Sequence, residues 1–228
     1  MKSDPRLYVA LDLPSVSAAQ DMVDRLGDAV VSYKIGLQLL PLGGAEFGQR
    51  LKAQGKNVFY DFKLHDIDAT VEKATRSIAT LGADLLTVHA RPDVMAAAAA
   101  GKGQSDLKIL GVTVLTSLNQ KALDDIGYYM TAEELVLRRV DQALSAGIDG
   151  VVSSPLEAEK IRSHVPKGFL VVTPGVRMPG ADRGDQKRVA SPGDALSSGA
   201  SHIVVGRPIT QAKDPKSSAL AVLENMRA

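Results

Sequence analysis

With 228 residues, 45% of them hydrophobic and 23% charged, the chain is long enough to bury a sizeable core, and a single domain over residues 1–228 is expected. A formal net charge of +1 gives no field that would draw it to nucleic acid or to a membrane surface, so neither is expected as a partner. The absence of cysteine excludes disulfides and thiolate metal sites, and it fits a reducing cytoplasm.

The polar start Met1–Arg6 carries no signal-peptide pattern, and no apolar run is long enough to span a bilayer, so a cytoplasmic location is expected. The first strand is predicted at Leu7–Leu13, followed by a helix at Ser17–Leu26. A second strand, Val31–Gly36, precedes a helix at Ala45–Gln54, and a third, Asn57–Lys63, precedes one at Ala69–Thr80. The fourth strand is Leu85–Ala90, and the alanine run Ala96–Ala100 after it reads most simply as helix. Lys108–Thr116 is the fifth strand, with a helix at Thr131–Ala146. Gly150–Ser153 then leads to a helix at Leu156–His164, and Leu170–Pro174 leads to Arg177–Ser191, rich in Gly, Pro and charge, the best candidate for a long loop. The eighth strand, Ser201–Gly206, precedes a last helix, Ser217–Met226. Gly27, Gly55, Gly82, Gly147 and Gly199 each close a helical pattern. Gly82-Ala83-Asp84, Gly147-Ile148-Asp149 and Gly199-Ala200-Ser201 repeat one helix-to-strand turn before strands four, six and eight.

Eight β-α units in a chain of this length predict a closed (β/α)8 TIM barrel of the α/β class. Alternation alone also permits an open doubly wound sheet. Against that stands Asp12-Leu13-Pro14-Ser15 after the first strand, where a dinucleotide fold carries its glycine-rich turn.

Strand side chains alternate between faces. In strand three Tyr60, Phe62 and Leu64 share one face, and Asp61 and Lys63 the other. Strand two sets Val31, Tyr33 and Ile35 against Ser32 and Lys34, and strand one sets Val9 and Leu11 against Ala10 and Asp12. With the bulky faces turned outward to the helices, Asp12, Lys34, Asp61 and Lys63 converge on the carboxyl-end mouth, where active sites of this fold lie. Ions there lose hydration, a cost tolerated mainly at functional sites; the bland alternative is a structural ion-pair plug. Asp66 reads, on its own, as the N-cap of the next helix, with Thr70 and Glu72 serving the same start. His65 reads as a loop contact and His89, at the end of strand four, as a core histidine in preference to a substrate contact, while His164 and His202 have no metal-ligand spacing.

A second signal lies after strands seven and eight, where barrel enzymes often seat a phosphate. Val205-Gly206-Arg207-Pro208 offers a close backbone approach and a bidentate guanidinium, and Thr173-Pro174-Gly175-Val176-Arg177 adds another glycine and arginine.

These residues resemble a known family. Asp61-x-Lys63-x-x-Asp66-Ile67-x-x-Thr70 is similar to the signature of orotidine 5′-phosphate decarboxylases. Val9-Ala10-Leu11-Asp12, Lys34-Ile35-Gly36, Val112 to Ser117, the Thr173 to Arg177 turn, Gly184-Asp185-Gln186 and Val205 to Pro208 look like its bacterial branch, so the likeness covers nearly the whole chain. The resemblance implies decarboxylation of orotidine 5′-monophosphate to uridine 5′-monophosphate in pyrimidine biosynthesis, without cofactor or metal. Lys63 would donate a proton to C6 and Asp61 would sit beside the leaving carboxylate. Lys34 and Asp12 would hold the ribose hydroxyls and the charge array. Thr116 and Ser117 would contact the pyrimidine; Arg177, Gln186, Gly206 and Arg207 would grip the phosphate. Asp66, with Ile67 and Thr70, would reach into the neighbouring subunit's site of a homodimer. That role replaces capping for Asp66 and comes from the resemblance alone. Asp68 stands where the family usually has proline, which leaves the local loop geometry open. Two rivals share parts of the pattern: a magnesium-dependent keto-sugar-phosphate decarboxylase or aldolase of the same suprafamily, and a non-catalytic phosphate-ligand binding barrel. Lys34, the Leu115-Thr116-Ser117 run and Gln186 argue against the first, and the intact proton donor with both acidic neighbours against the second.

Overall fold

The structure, a computed structural model, describes residues 2–180 and 190–227. Eight parallel strands close into a barrel in chain order: β1 Leu7–Ala10, β2 Ser32–Gly36, β3 Asn57–Leu64, β4 Leu85–His89, β5 Lys108–Val112, β6 Gly150–Val152, β7 Leu170–Thr173 and β8 His202–Val205. Closure is made by β1 and β8, with Leu7 opposite Ile203 and Val9 opposite Val205. The α-helices among the described residues are α1 Val16–Leu26, α2 Gly44–Ala53, α3 Asp68–Ala79, α4 Pro92–Lys102, α5 Gln120–Asp125, α6 Ala132–Ser145, α7 Ala158–His164, α8 Pro192–Ser197, α9 Arg207–Thr210 and α10 Pro215–Asn225. The expected barrel is therefore the observed one, and the open-sheet alternative falls.

Local chemistry sets the boundaries. Ser15 caps α1 by accepting from Ala18 N at 3.1 Å, and Asp214 caps α10 from Ser217 N at 3.0 Å. Thr131 and Glu134 close a reciprocal capping box on α6. The five glycines expected to stop helices all have positive φ. Ala96–Ala100 lies inside α4.

The core has two compartments, as alternation demands. Leu7, Val9, Leu11, Tyr33, Ile35, Tyr60 and Phe62 pack outward among the helices. Tyr8, Ala10, Phe59, Leu85, Leu110, Val172 and Val204 fill the barrel interior. Above that floor, at the carboxyl ends of the strands, space opens.

Two predicted strands run too far by three residues or more. The first ends at Ala10 rather than Leu13, although Leu11 N still donates to Lys34 O at 2.9 Å. The fifth ends at Val112 rather than Thr116, because β6 stops at Val152 and leaves no neighbour beyond the Thr113 N to Val152 O bond of 3.1 Å. The freed chain turns across the mouth and carries Thr116 and Ser117 with it.

Candidate active site

A cavity of about 510 Å³ opens at the mouth. Among its lining residues are Asp12, Lys34, Asp61, Lys63, Thr116, Ser117, Arg177, Gly206 and Arg207, all singled out from the sequence.

At its base the charges alternate. Lys34 Nζ lies 3.2 Å from Asp12 Oδ1 and 3.3 Å from Asp61 Oδ2. Lys63 Nζ donates to Asp61 Oδ1 at 2.8 Å. No charge in this row is buried without an opposite one beside it, which is the condition for holding ions out of water. Lys34 is the deepest member, with 8% of its side chain exposed, against 15% for Asp61, 27% for Lys63 and 51% for Asp12. Burial opposes ionisation of Asp61, but the adjacent Lys34 and Lys63 ammonium groups prevail and hold its carboxyl below the ordinary value. Lys34 is the mirror case: burial disfavours its charge, Asp61 and Asp12 outweigh it, and its amine is held above the ordinary value. Both groups are therefore ionised throughout the neutral range.

Strand alternation alone does not bring Lys63 here. Lys63 has φ 49°, the only positive φ outside glycine among the described residues, and the β3–β4 register slips between Tyr60 and Leu64. A bulge at the end of β3 thus re-aims the lysine, while Asp61 keeps its inward place opposite Gly36 of β2.

The upper wall comes from the connector after β5. It is fastened from outside by Arg139 of α6, whose guanidinium donates to Tyr128 Oη at 2.7 Å and to the Ala90 carbonyl. Opposite stand Arg177, whose backbone N–H donates to Ala190 O at 3.0 Å, and Arg207 at the start of α9. Gln38, Ser153, Thr210 and Gln211 also line the cavity. Sequence reading passed over them, since a single polar residue past a strand end carries no periodic signal.

Asp66, Ile67 and Thr70 are not brought into this cavity. All three are exposed, Ile67 by 68%. Capping does not occupy Asp66 either: its carboxylate accepts from the adjacent Ile67 N at 2.7 Å, and α3 starts at Asp68 with no side-chain cap. Gln186 lies outside the described residues. His89 is half-buried rather than a core residue, its ring 4.7 Å from that of His65, which contacts Arg91 Nη1 at 3.1 Å. Among the described residues no cluster of three His, Asp or Glu side chains is placed to hold a metal ion, and no helix is long and apolar enough to cross a membrane.

Residues 5–222 match the family model described as "Orotidine 5'-phosphate decarboxylase / HUMPS family". The chain is 57% identical to the orotidine 5′-phosphate decarboxylase of Caulobacter sp. (strain K31), with 99% of each chain covered. To that of Rhodopseudomonas palustris (strain BisB5) it is 51% identical, covering 96% of this chain and 93% of the relative. Among solved structures, the orotidine 5′-phosphate decarboxylase of Lactobacillus acidophilus superposes with a TM-score of 0.86 at 36% identity, covering 99% of this chain and 100% of the other. That of Pyrococcus horikoshii OT3 gives 0.77 at 25%, covering 97% and 99%.

Proposed function

The chain belongs to the orotidine 5′-phosphate decarboxylase / HUMPS family, and from that premise we propose a role for each group at its mouth. The protein is a carboxy-lyase that converts orotidine 5′-monophosphate to uridine 5′-monophosphate in pyrimidine biosynthesis. The observation that carries the assignment of roles is the row Asp12–Lys34–Asp61–Lys63, which ends on an ammonium at the cavity.

When the C6–carboxylate bond breaks, carbon dioxide leaves and the electron pair stays on C6, in an orbital that no π-system can absorb. The uncatalysed barrier is therefore very high, and lowering it requires the upper part of the roughly 8–23 kcal/mol range open to enzymes. Lys63 meets that charge as it forms, then transfers a proton from Nζ to C6, completing the C6–H bond. Asp61 lies beside the substrate carboxylate, whose repulsion ends as carbon dioxide departs. Lys34 and Asp12 hold the ribose hydroxyls, and Thr116 and Ser117 contact the pyrimidine. Arg177, Gln186, Gly206 and Arg207 take the phosphate, and binding energy from that distant group supports closure over the reacting end. Asp66, Ile67 and Thr70 serve the site of a second copy, so the working unit is a homodimer. Their exposure beside an otherwise furnished cavity supports this. In this reading residues 1–228 act as one catalytic domain, in the cytoplasm, without cofactor.

The test is Lys63→Ala. Turnover of orotidine 5′-monophosphate should fall by about a thousandfold or more, while uridine 5′-monophosphate still binds. Comparable turnover by the variant would refute the role of Lys63. Assaying the unmodified protein in excess chelator separates the magnesium-dependent rival, which requires the activity to disappear.

A further inference from the structure

Opposite the bulge in β3 stands a single residue of β4. Tyr60 pairs with Leu86 and Leu64 with Val88, so Asp61, Phe62 and Lys63 all face the one position between them, Thr87. Thr87 is fully buried. Its hydroxyl oxygen accepts from the Lys63 backbone N–H at 3.0 Å, and its hydroxyl donates to Asp61 Oδ1 at 2.9 Å.

We propose that Thr87 is a positioning residue for the decarboxylation, its hydroxyl fixing at once the Asp61 carboxylate and the backbone from which Lys63 projects. The proposal rests on Lys63 being the proton donor and adds a group that does not touch substrate. A left-handed lysine is disfavoured relative to ordinary backbone, and the register slip takes its amide out of the regular ladder. A buried amide without a partner carries a second cost, the lost hydration of its N–H. Thr87 removes the second cost and so stabilises the conformation that carries the first. Its acceptor face being taken by that amide, the hydroxyl proton points at Asp61. Oδ1 then receives Thr87 and Lys63 Nζ, while Oδ2 faces Lys34 Nζ. Two of these three donors are flexible amines that the reaction also uses. All three stand on strands, but only the Thr87 donor is held on a short, branched side chain.

Thr87→Val keeps the shape and removes the hydroxyl; Thr87→Ser keeps the hydroxyl. In Thr87→Val, kcat should fall about ten- to a hundredfold, the worth of a hydrogen bond to a charged group, with KM changed by less than about threefold. The acid limb of the kcat/KM profile should move to higher pH, because Asp61 loses a donor that favours its ionised form. Thr87→Ser should recover most of kcat. A wild-type kcat with an unmoved acid limb in Thr87→Val would overturn the proposal, as would equal damage in both variants. Should Thr87→Val not fold, hydrogen exchange of the Lys63 amide in the unmodified protein decides: slow exchange, comparable with strand amides, supports the bond, and rapid exchange removes it. The reading of the site fails separately. An inert Lys63→Ala beside an unaffected Thr87→Val sinks only Thr87, whereas an active Lys63→Ala sinks both.

Discussion

Gly36 shows how a residue with no side chain serves a charged site. A β-carbon there would lie 2.6 Å from Asp12 Oδ1 and 3.0 Å from Lys34 Nζ, so the ion pair occupies the space a side chain would claim. Gly36 has an ordinary φ, and the obstacle is contact rather than backbone strain. Gly36→Ala should therefore fold, push the half-exposed Asp12 carboxylate off Lys34 and loosen the ribose end. We expect KM for orotidine 5′-monophosphate to rise about tenfold, equivalent to roughly 1.4 kcal/mol of lost binding, with a smaller change in kcat. Steady-state kinetics check this; an unchanged KM would show that Asp12 does not hold the substrate. Asp68 makes the complementary point. It occupies the first position of α3, after Ile67 at φ −66° and ψ 152°. Proline is favoured at that helical position for its fixed φ, and aspartate there is favoured by the helix dipole. The helix start is thus ordinary despite the departure from the family pattern. The added charge is felt by Arg91.

At the scale of elements, one turn used three times ties the amino-terminal end of the barrel together. In the first copy Asp84 accepts from Val58 N at 2.7 Å and from Lys52 Nζ at 2.8 Å. In the second Asp149 accepts from Ile109 N at 2.8 Å and from Lys102 Nζ at 2.7 Å. In the third Ser201 Oγ accepts from Val171 N at 2.9 Å. Each polar side chain ties the start of the preceding odd-numbered strand, at the end of the barrel associated with stability rather than chemistry. Asp149→Ala leaves the Ile109 N–H without this acceptor and the Lys102 ammonium without its partner. Since Asp149 is 18% exposed and Lys102 17%, water softens the loss, and about 2–3 kcal/mol of stability should go. Thermal unfolding should shift down while kcat/KM at 25 °C stays within about twofold; a lost activity in a folded variant would contradict this division between the two ends. The recurrence of this turn was legible in the sequence because Gly-x-Asp or Gly-x-Ser preceded three strands. So were the strand faces, since Val9, Tyr33 and Tyr60 alternate cleanly with Ala10, Lys34 and Asp61. The end of β5 was not, because it is decided by where β6 stops. Neither was the bulge at Lys63, for nothing in Asp61-Phe62-Lys63 announces a positive φ, and alternation gave a sound direction for Lys63 by a route the backbone does not take.

Closure is a property of the whole molecule. Eight β-α units permit it, and the pairing of β1 with β8, Leu7–Ile203, Tyr8–Val204 and Val9–Val205, establishes it. Closure also bears on the proposal that two copies share each site. Asp12, Lys34, Asp61 and Lys63 line the mouth, but Asp66, Ile67 and Thr70, only a few residues beyond Lys63, are exposed and do not line the cavity of their own chain. In the proposed homodimer a twofold partner would present that exposed segment to the other copy's mouth. The consequence is arithmetical. In a mixed dimer of Lys63→Ala and Asp66→Asn chains, the site on the Lys63→Ala chain carries both lesions. The site on the Asp66→Asn chain keeps its own Lys63 and receives an intact Asp66. Random pairing of equal amounts makes half the dimers mixed, each with one sound site, so two nearly inert preparations should together regain roughly a quarter of the unmodified activity. Unfolding and refolding the mixture before assay allows exchange, and the two variants refolded separately are the control. Should the mixture stay as inactive as its components while sedimentation shows mixed dimers present, Asp66 would act within its own chain, and the loop after β3 would have to fold back over the mouth in a way these exposed positions do not suggest.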